Sequence, residues 1–180
     1  MVEFAIVLPV LAMLVVGVIE IGFAFKEKLL VDNAIQVAAR TGSALGKSGD
    51  VDLRILEALE QGFASLPTKG DGTVLQAQVY KVNVDGSTDP TKVNTYLFAY
   101  DSDPNVCNWN PCPSTPAEHG VWKPADRDTK LDGGLDSLGV TVYYGHTWML
   151  GSQFFLSDAS CAVAANCWTE TAILRLEPTE

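Results

Sequence analysis

The chain changes its hydrophobic pattern three times. Residues 4–25, FAIVLPVLAMLVVGVIEIGFAF, are apolar on every side and carry one charge, Glu20. A helix of that length is about 33 Å long, enough to cross a hydrocarbon core of about 30 Å. From Lys26 the pattern becomes amphipathic: Leu30, Ala34, Ile35, Val37, Ala38 and Leu45 recur among polar positions at helical spacing. No breaker lies between Phe25 and Arg40, so one continuous helix is expected from about residue 3 to about residue 46. Gly46, Ser48 and Gly49 close it. Pro9 lies inside the apolar half and is expected to kink or loosen it, as membrane helices tolerate.

The second pattern follows Asp50, which is expected to cap a helix over VDLRILEALEQGFASL. Val51, Ile55, Leu59 and Phe63 recur every four residues, and Pro67 with the Lys69–Gly72 turn ends the run. After Gly72 the period falls to two. Strands are expected over 74–84, 95–100, 138–144 and 168–176. Residues 101–137 read as a long loop rich in Asp, Pro, Gly and Ser, and 145–167 as an apolar-rich loop with Trp148, Met149, Phe154 and Phe155. The expected fold is α+β. A long N-terminal helix fills 1–48, and a head domain at 49–180 holds a second helix and a small, mostly antiparallel sheet.

Composition narrows the partners. Twelve basic against 22 acidic residues leave a net charge of -10. Such a surface suits neither a nucleic-acid backbone nor an anionic membrane surface. The four cysteines form two close pairs in sequence, Cys107/Cys112 and Cys161/Cys167. Their spacings match zinc sites poorly, and two local disulfides in an oxidising compartment are the better account, although other pairings stay open. Lys26 and Lys28 after the apolar run would place that side in the cytoplasm, against the cysteines. A basic leader preceding Met1 and later removed reconciles the two. The run lacks a basic n-region and is too long for a secretory signal, so the segment is expected to be retained.

Chemistry is sparse. His119 and His146 flank no nucleophile motif, and no phosphate-cradling glycine loop occurs. Asp101, Asp103 and Asn105 begin like a calcium loop, but Val106 and Cys112 stand where the glycine and the closing acid belong. An irregular calcium site using Asp126, Asp128, Asp132 or Asp136 is a lesser expectation, with solvated loop acids the default. No cofactor and no enzymatic activity are expected.

Residues 2–22, VEFAIVLPVLAMLVVGVIEIG, resemble the N-terminal segment of TadE-like pseudopilins of the tight-adherence (Tad) branch of type IV pili. The resemblance rests on Val2-Glu3-Phe4-Ala5, Leu8-Pro9 and Glu20, continued by Asp32-Asn33-Ala34 and Ala38-Ala39-Arg40. It is specific over residues 2–45 and implies a pilin-like fold. It also implies a leader cut by a prepilin peptidase and a helix that anchors in the inner membrane before assembly, then forms the filament core. The residues expected to carry assembly are Glu3, Phe4, Pro9, Gly17 and Glu20. A buried carboxylate is costly unless paired. Glu3 is therefore expected to meet the N-terminal ammonium of a neighbouring copy. Glu20 either snorkels to the interface or pairs with Lys26 or Lys28 of a neighbour.

The function so implied is structural: a pilin or pseudopilin of an extracellular type IV-like filament, in contact with copies of itself or related pilins. The alternative is a single-pass, membrane-anchored binding domain that does not polymerise.

Overall fold

A computed structural model describes residues 2–70, 73–103, 105–114, 120–132, 134–146, 161 and 167–178, with residues 2–6 and 68 in backbone only. Helix α1 (Val2–Leu45) is continuous and contains Pro9. Its last turn closes through the Gly46 amide on the Gly42 carbonyl, with Gly46 in the left-handed region. After a short turn, α2 (Val51–Phe63) runs back along it. The contact is close because small residues line the seam. A Cβ added at Gly62 would lie 2.2 Å from the Ala34 Cβ, and one at Gly42 would meet Ile55 and Leu138 side chains. Ala34, Ala38 and Gly42 thus form a ridge of small residues spaced four apart, against which α2 packs.

Asp50 does not cap α2 through its side chain. Its carboxylate instead accepts from Ser48 Oγ and, at 3.1 Å, from Arg54 Nε. Those bonds hold its pKa below the usual carboxylate value.

The sheet has five antiparallel strands: β1 (Val74–Val82), β2 (Thr88–Phe98), β3 (Trp109–Asn110), β4 (Ser137–Tyr144) and β5 (Trp168–Arg175), in the order β3-β2-β1-β4-β5. Two details depart from the sequence expectation. β2 starts at Thr88 rather than Thr95, because its first half is disguised by Asp89, Pro90 and Lys92. The register there jumps from Tyr80↔Val93 to Val82↔Thr88, so residues 89–92 form a bulge on an edge where Pro90 needs no hydrogen bond. β3, at two residues, is too short for any period to show. Residues 101–137 are therefore not one uniform loop: they contain β3 and a short 3-10 turn at Pro124–Asp126.

One face of the sheet meets the helices. Ala77 and Val79 of β1, Tyr96 of β2, Leu138, Val140 and Val142 of β4 pack with Ile55, Leu59 and Phe63 of α2 and Ala38 of α1. At the head's edge Phe63, Phe98 and Trp109 form an aromatic cluster, with Phe98 and Trp109 centroids 4.8 Å apart.

The loop before β4 is held by a buried polar network. Asp52 and Arg127 are both 0% exposed and form an ion pair. Tyr96 Oη donates to Asp52 at 2.6 Å, and Asn94 Nδ2 donates to Asp52 and to the Trp122 carbonyl, each at 2.9 Å. The Trp122 amide returns a bond to Asn94 Oδ1 at 2.8 Å, and the Arg127 guanidinium lies 4.5 Å from the Trp122 ring centroid. Burial and the neighbouring Asp52 charge push the Tyr96 hydroxyl far above its ordinary pKa, so it stays a donor.

Disulfides join Cys107 to Cys112 and Cys161 to Cys167. Each closes a loop of five or six residues, worth about 2 kcal/mol in a chain-entropy model. Trp148, Met149, Phe154, Phe155 and His119 lie outside the described residues.

Candidate anchoring and assembly site

The first half of α1 is apolar and uncovered. Val7, Leu8, Val10, Leu11, Met13, Leu14, Val15, Val18, Ile21 and Phe25 are each more than half exposed. The most apolar 18-residue window has a mean hydropathy of 2.4 and is 11% buried. Burying one such side chain is worth about 1.5–3 kcal/mol. Ten of them exposed along one rod far exceed the apolar patch a monomeric soluble protein carries. The segment requires lipid or protein around it.

The second half of α1 is fastened along β4 and β5. Near its start, Glu27 Oε2 lies 2.6 Å from His146 Nδ1, just past the end of β4. Lys28 Nζ lies 3.0 Å from Glu170 of β5. Near its end, Ser43 Oγ donates to the Arg175 carbonyl at 2.6 Å, and the Glu177 amide donates to the Ser43 carbonyl at 3.0 Å. These contacts run in the same order along helix and strands, so the strands lie roughly along α1. The His146 ring stacks on Trp168 at 6.1 Å and 10°, and Trp168 meets Tyr144 edge-on at 5.9 Å. Burial, then the nearby Glu170, raises the Tyr144 pKa above its ordinary value.

Both disulfides lie toward the end of the head from which the apolar helix emerges. The register places Val74, Tyr144 and Trp168 side by side at that end, and β2 reaches Phe98 there. The 83–87 hairpin and the α1–α2 turn lie at the opposite end. An apolar notch of about 250 Å³, lined by Ile21, Ala24, Phe25, Lys28 and Trp168, opens at the junction of helix and head.

The sequence-derived assembly residues fall as follows. Glu3 and Phe4 lie on α1, with side chains outside the described residues. Pro9 sits within the unbroken helix. A Cβ at Gly17 or Gly22 would meet nothing within 4 Å, so the helix is open to a neighbour at each of these positions. Glu20 is the exception on its surroundings: it is 4% exposed and has a partner within its own chain. Lys28, expected as an inter-subunit partner for Glu20, pairs with Glu170 of its own head. The Glu27–His146 contact was not foreseen, because the two residues stand 119 positions apart and neither carries a local motif.

The loop acids are engaged locally. Asp136 accepts from Lys81 Nζ at 2.5 Å and from the Asp128 amide at 2.9 Å. Asp101 and Asp103 each accept a backbone amide two residues on, at 2.9 Å. Among the described residues no group of three or more His, Cys, Asp or Glu side chains converges.

An apolar helix half, a fastened amphipathic half and a disulfide-bonded antiparallel head make an α+β protein with one helix long and apolar enough to cross a membrane. The model of the family described as TadE-like protein matches residues 1–40, which supports a protein associated with the Tad pilus. No curated protein and no solved structure matches the chain.

Proposed function

We propose that the chain is a structural subunit, a pilin or pseudopilin, of a type IV-like filament. It waits in the inner membrane on its apolar helix and enters the filament after a prepilin peptidase removes a leader. The observation that carries this reading is the contrast within α1. Residues 27–43 are locked to the head, so the exposed apolar half projects as a stiff rod rather than a floppy tether. A rod of fixed direction can be exchanged from lipid to a bundle of like rods without rebuilding the head. Dispersion and close packing then hold the core. The open positions at Gly17 and Gly22 and the notch beside Trp168 would receive neighbouring helices. Glu3 would pair with the N-terminal ammonium of a neighbour.

The role of the head in this reading is to display an acidic, disulfide-bonded surface outside the cell.

Negative-stain imaging of sheared surface material from expressing cells tests the proposal. Fibres that contain the chain, and that are lost on deleting residues 4–25, are expected. Detergent-extracted single particles with no fibres would support the anchored, non-polymerising binding domain instead. The observation that favours that second reading is Glu20, which is covered and has a partner within its own chain.

A further inference from the structure

The face of the sheet turned away from the helices carries no charge across its three central rows; Arg175 of β5, opposite Ser137, stands in the row beyond them. Alternation and register place Val93, Thr95 and Leu97 of β2 there, beside Tyr80, Gln78 and Gln76 of β1, Gly139, Thr141 and Tyr143 of β4, and Ile173, Thr171 and Thr169 of β5. None is acidic or basic, in a chain of net charge -10. Thr95, Thr169 and Thr171 are exposed, and Leu97 and Ile173 are 48% and 49% exposed.

The polar side chains on this face are held by one another. Tyr80 Oη lies 3.1 Å from Thr141 Oγ1, which lies 2.7 Å from Thr171 Oγ1. Tyr143 Oη donates to Gln78 Oε1 at 3.0 Å, and Gln78 Nε2 donates to Thr95 Oγ1 at 3.4 Å. The Tyr80 ring lies flat over Gly139, where an added Cβ would come within 2.4 Å of it. The face is therefore ordered before any partner arrives, which lowers the entropy cost of docking.

We propose that this face is a two-fold contact between the heads of two copies anchored in the same membrane. Two arguments select a second copy. Copies of charge -10 repel wherever their acidic surfaces meet, and this face lets them approach without opposing like charges. An isologous contact also demands a surface complementary to itself. Hydroxyls and carboxamides both donate and accept, so a Thr, Tyr and Gln face meets that demand, whereas a face of single-sign charge does not.

The geometry sets the pairing. Both helices enter one membrane, so the two-fold axis lies along α1, and the strands lie roughly along α1 as well. The facing sheets then stack in the aligned manner, with β5 of one copy over β2 of the other. Thr171 faces Thr95 of the second copy, Ile173 faces Val93, and Thr169 faces Leu97. Each exposed aliphatic is covered by its counterpart strand. Such a pair is closed and does not itself extend a filament. It is a resting state of the anchored chain, and it depends on anchoring rather than on polymerisation.

Cross-linking in membranes tests this. All four native cysteines are paired, so a single introduced cysteine is the one reactive thiol. Full-length Thr171→Cys and Thr95→Cys copies, carrying tags of different size, are expressed separately and together. They are treated with a short bifunctional maleimide. Facing positions lie about 10 Å apart, whereas Thr171 of one copy and Thr171 of the other lie about 17 Å apart. The mixed pair is expected to cross-link, and each variant alone is not. Ile173→Cys with Val93→Cys repeats the test at the next row. Adding Thr171→Glu to the Ile173/Val93 pair is expected to abolish the product. Absence of a mixed product while both thiols still label, or equal products in cells expressing one variant, would overturn the proposal. The readout precedes any fibre, so a failure here leaves the imaging result on filaments standing, and the reverse holds too.

Discussion

Asp52, in the first turn of α2, forms an ion pair with Arg127, 75 residues further along the chain, and both side chains are wholly buried. The pair locates the loop before β4 beside the first turn of α2, next to Asn94 and Tyr96 of β2. A buried pair adds little net stability over an apolar substitute, yet removing one partner strands the other charge. Arg127→Met is therefore expected to destabilise the head by about 3–5 kcal/mol, and the double variant Asp52→Asn/Arg127→Met to recover much of that loss. Urea unfolding of the detergent-solubilised chain, followed by tryptophan fluorescence, measures both. Equal losses in the single and double variants would show that the pair is not the source.

The Glu27–His146 contact fastens α1 where it enters the head. His146→Gln or Glu27→Gln is expected to weaken that docking by roughly 1–3 kcal/mol, the range for a charge-assisted hydrogen bond. Amide exchange should speed up over residues 25–31 while β1 and β4 stay protected. Uniform loss of protection would mean that the contact supports the whole core rather than the junction.

Two glycines separate head stability from assembly. Gly62→Ala drives a Cβ into Ala34 and is expected to cost about 1–3 kcal/mol through overpacking. A Cβ at Gly17 meets nothing within 4 Å, so Gly17→Ala should not lower the melting temperature of the isolated chain. If Gly17 packs against a neighbouring helix, fibre yield should fall instead. Unchanged yield would remove Gly17 from the assembly surface.

Acid should loosen the head's turns. Hydrogen bonds from Ser48 and Arg54 lower the pKa of Asp50, those from Ser87 lower Asp85, and those from Thr91 lower Asp89. A carboxylate whose pKa is lower folded than unfolded contributes stability above its unfolded value and loses it as the pH falls through the folded one. The thermal midpoint should therefore drop below about pH 4, the ordinary carboxylate range. Asp50→Asn should flatten that drop. Glu60 has the opposite sign: burial raises its pKa, so its ionisation weakens the fold as the pH rises through and above the ordinary range. Glu60→Gln should accordingly raise the midpoint at neutral pH while leaving it unchanged in acid.

Much of this architecture was legible in the residue pattern because it is local. The 22-residue run from Phe4 to Phe25, apolar but for Glu20, the unbroken run into amphipathic spacing, the four-residue period of α2 and the alternation in β1, β4 and β5 are each written in consecutive residues. The close cysteine pairs likewise needed only their spacing. What the tertiary structure alone decided is long-range and polar. Asp52 with Arg127, Glu27 with His146 and Lys28 with Glu170 join residues with no shared period. Their meeting depends on how helices and strands stack. The start of β2 belongs to the same class, since pairing with β1 overrides the local signal of Pro90. So does the run of uncharged rows on the sheet's outer face. Each strand shows its own alternation, but only the register aligns Thr95, Gln78, Thr141 and Thr171 into one row. Hydrophobic periodicity reports which side of an element is buried. It carries no information about which distant polar groups will share that burial, because hydrogen-bond and ion-pair partners are chosen by three-dimensional proximity.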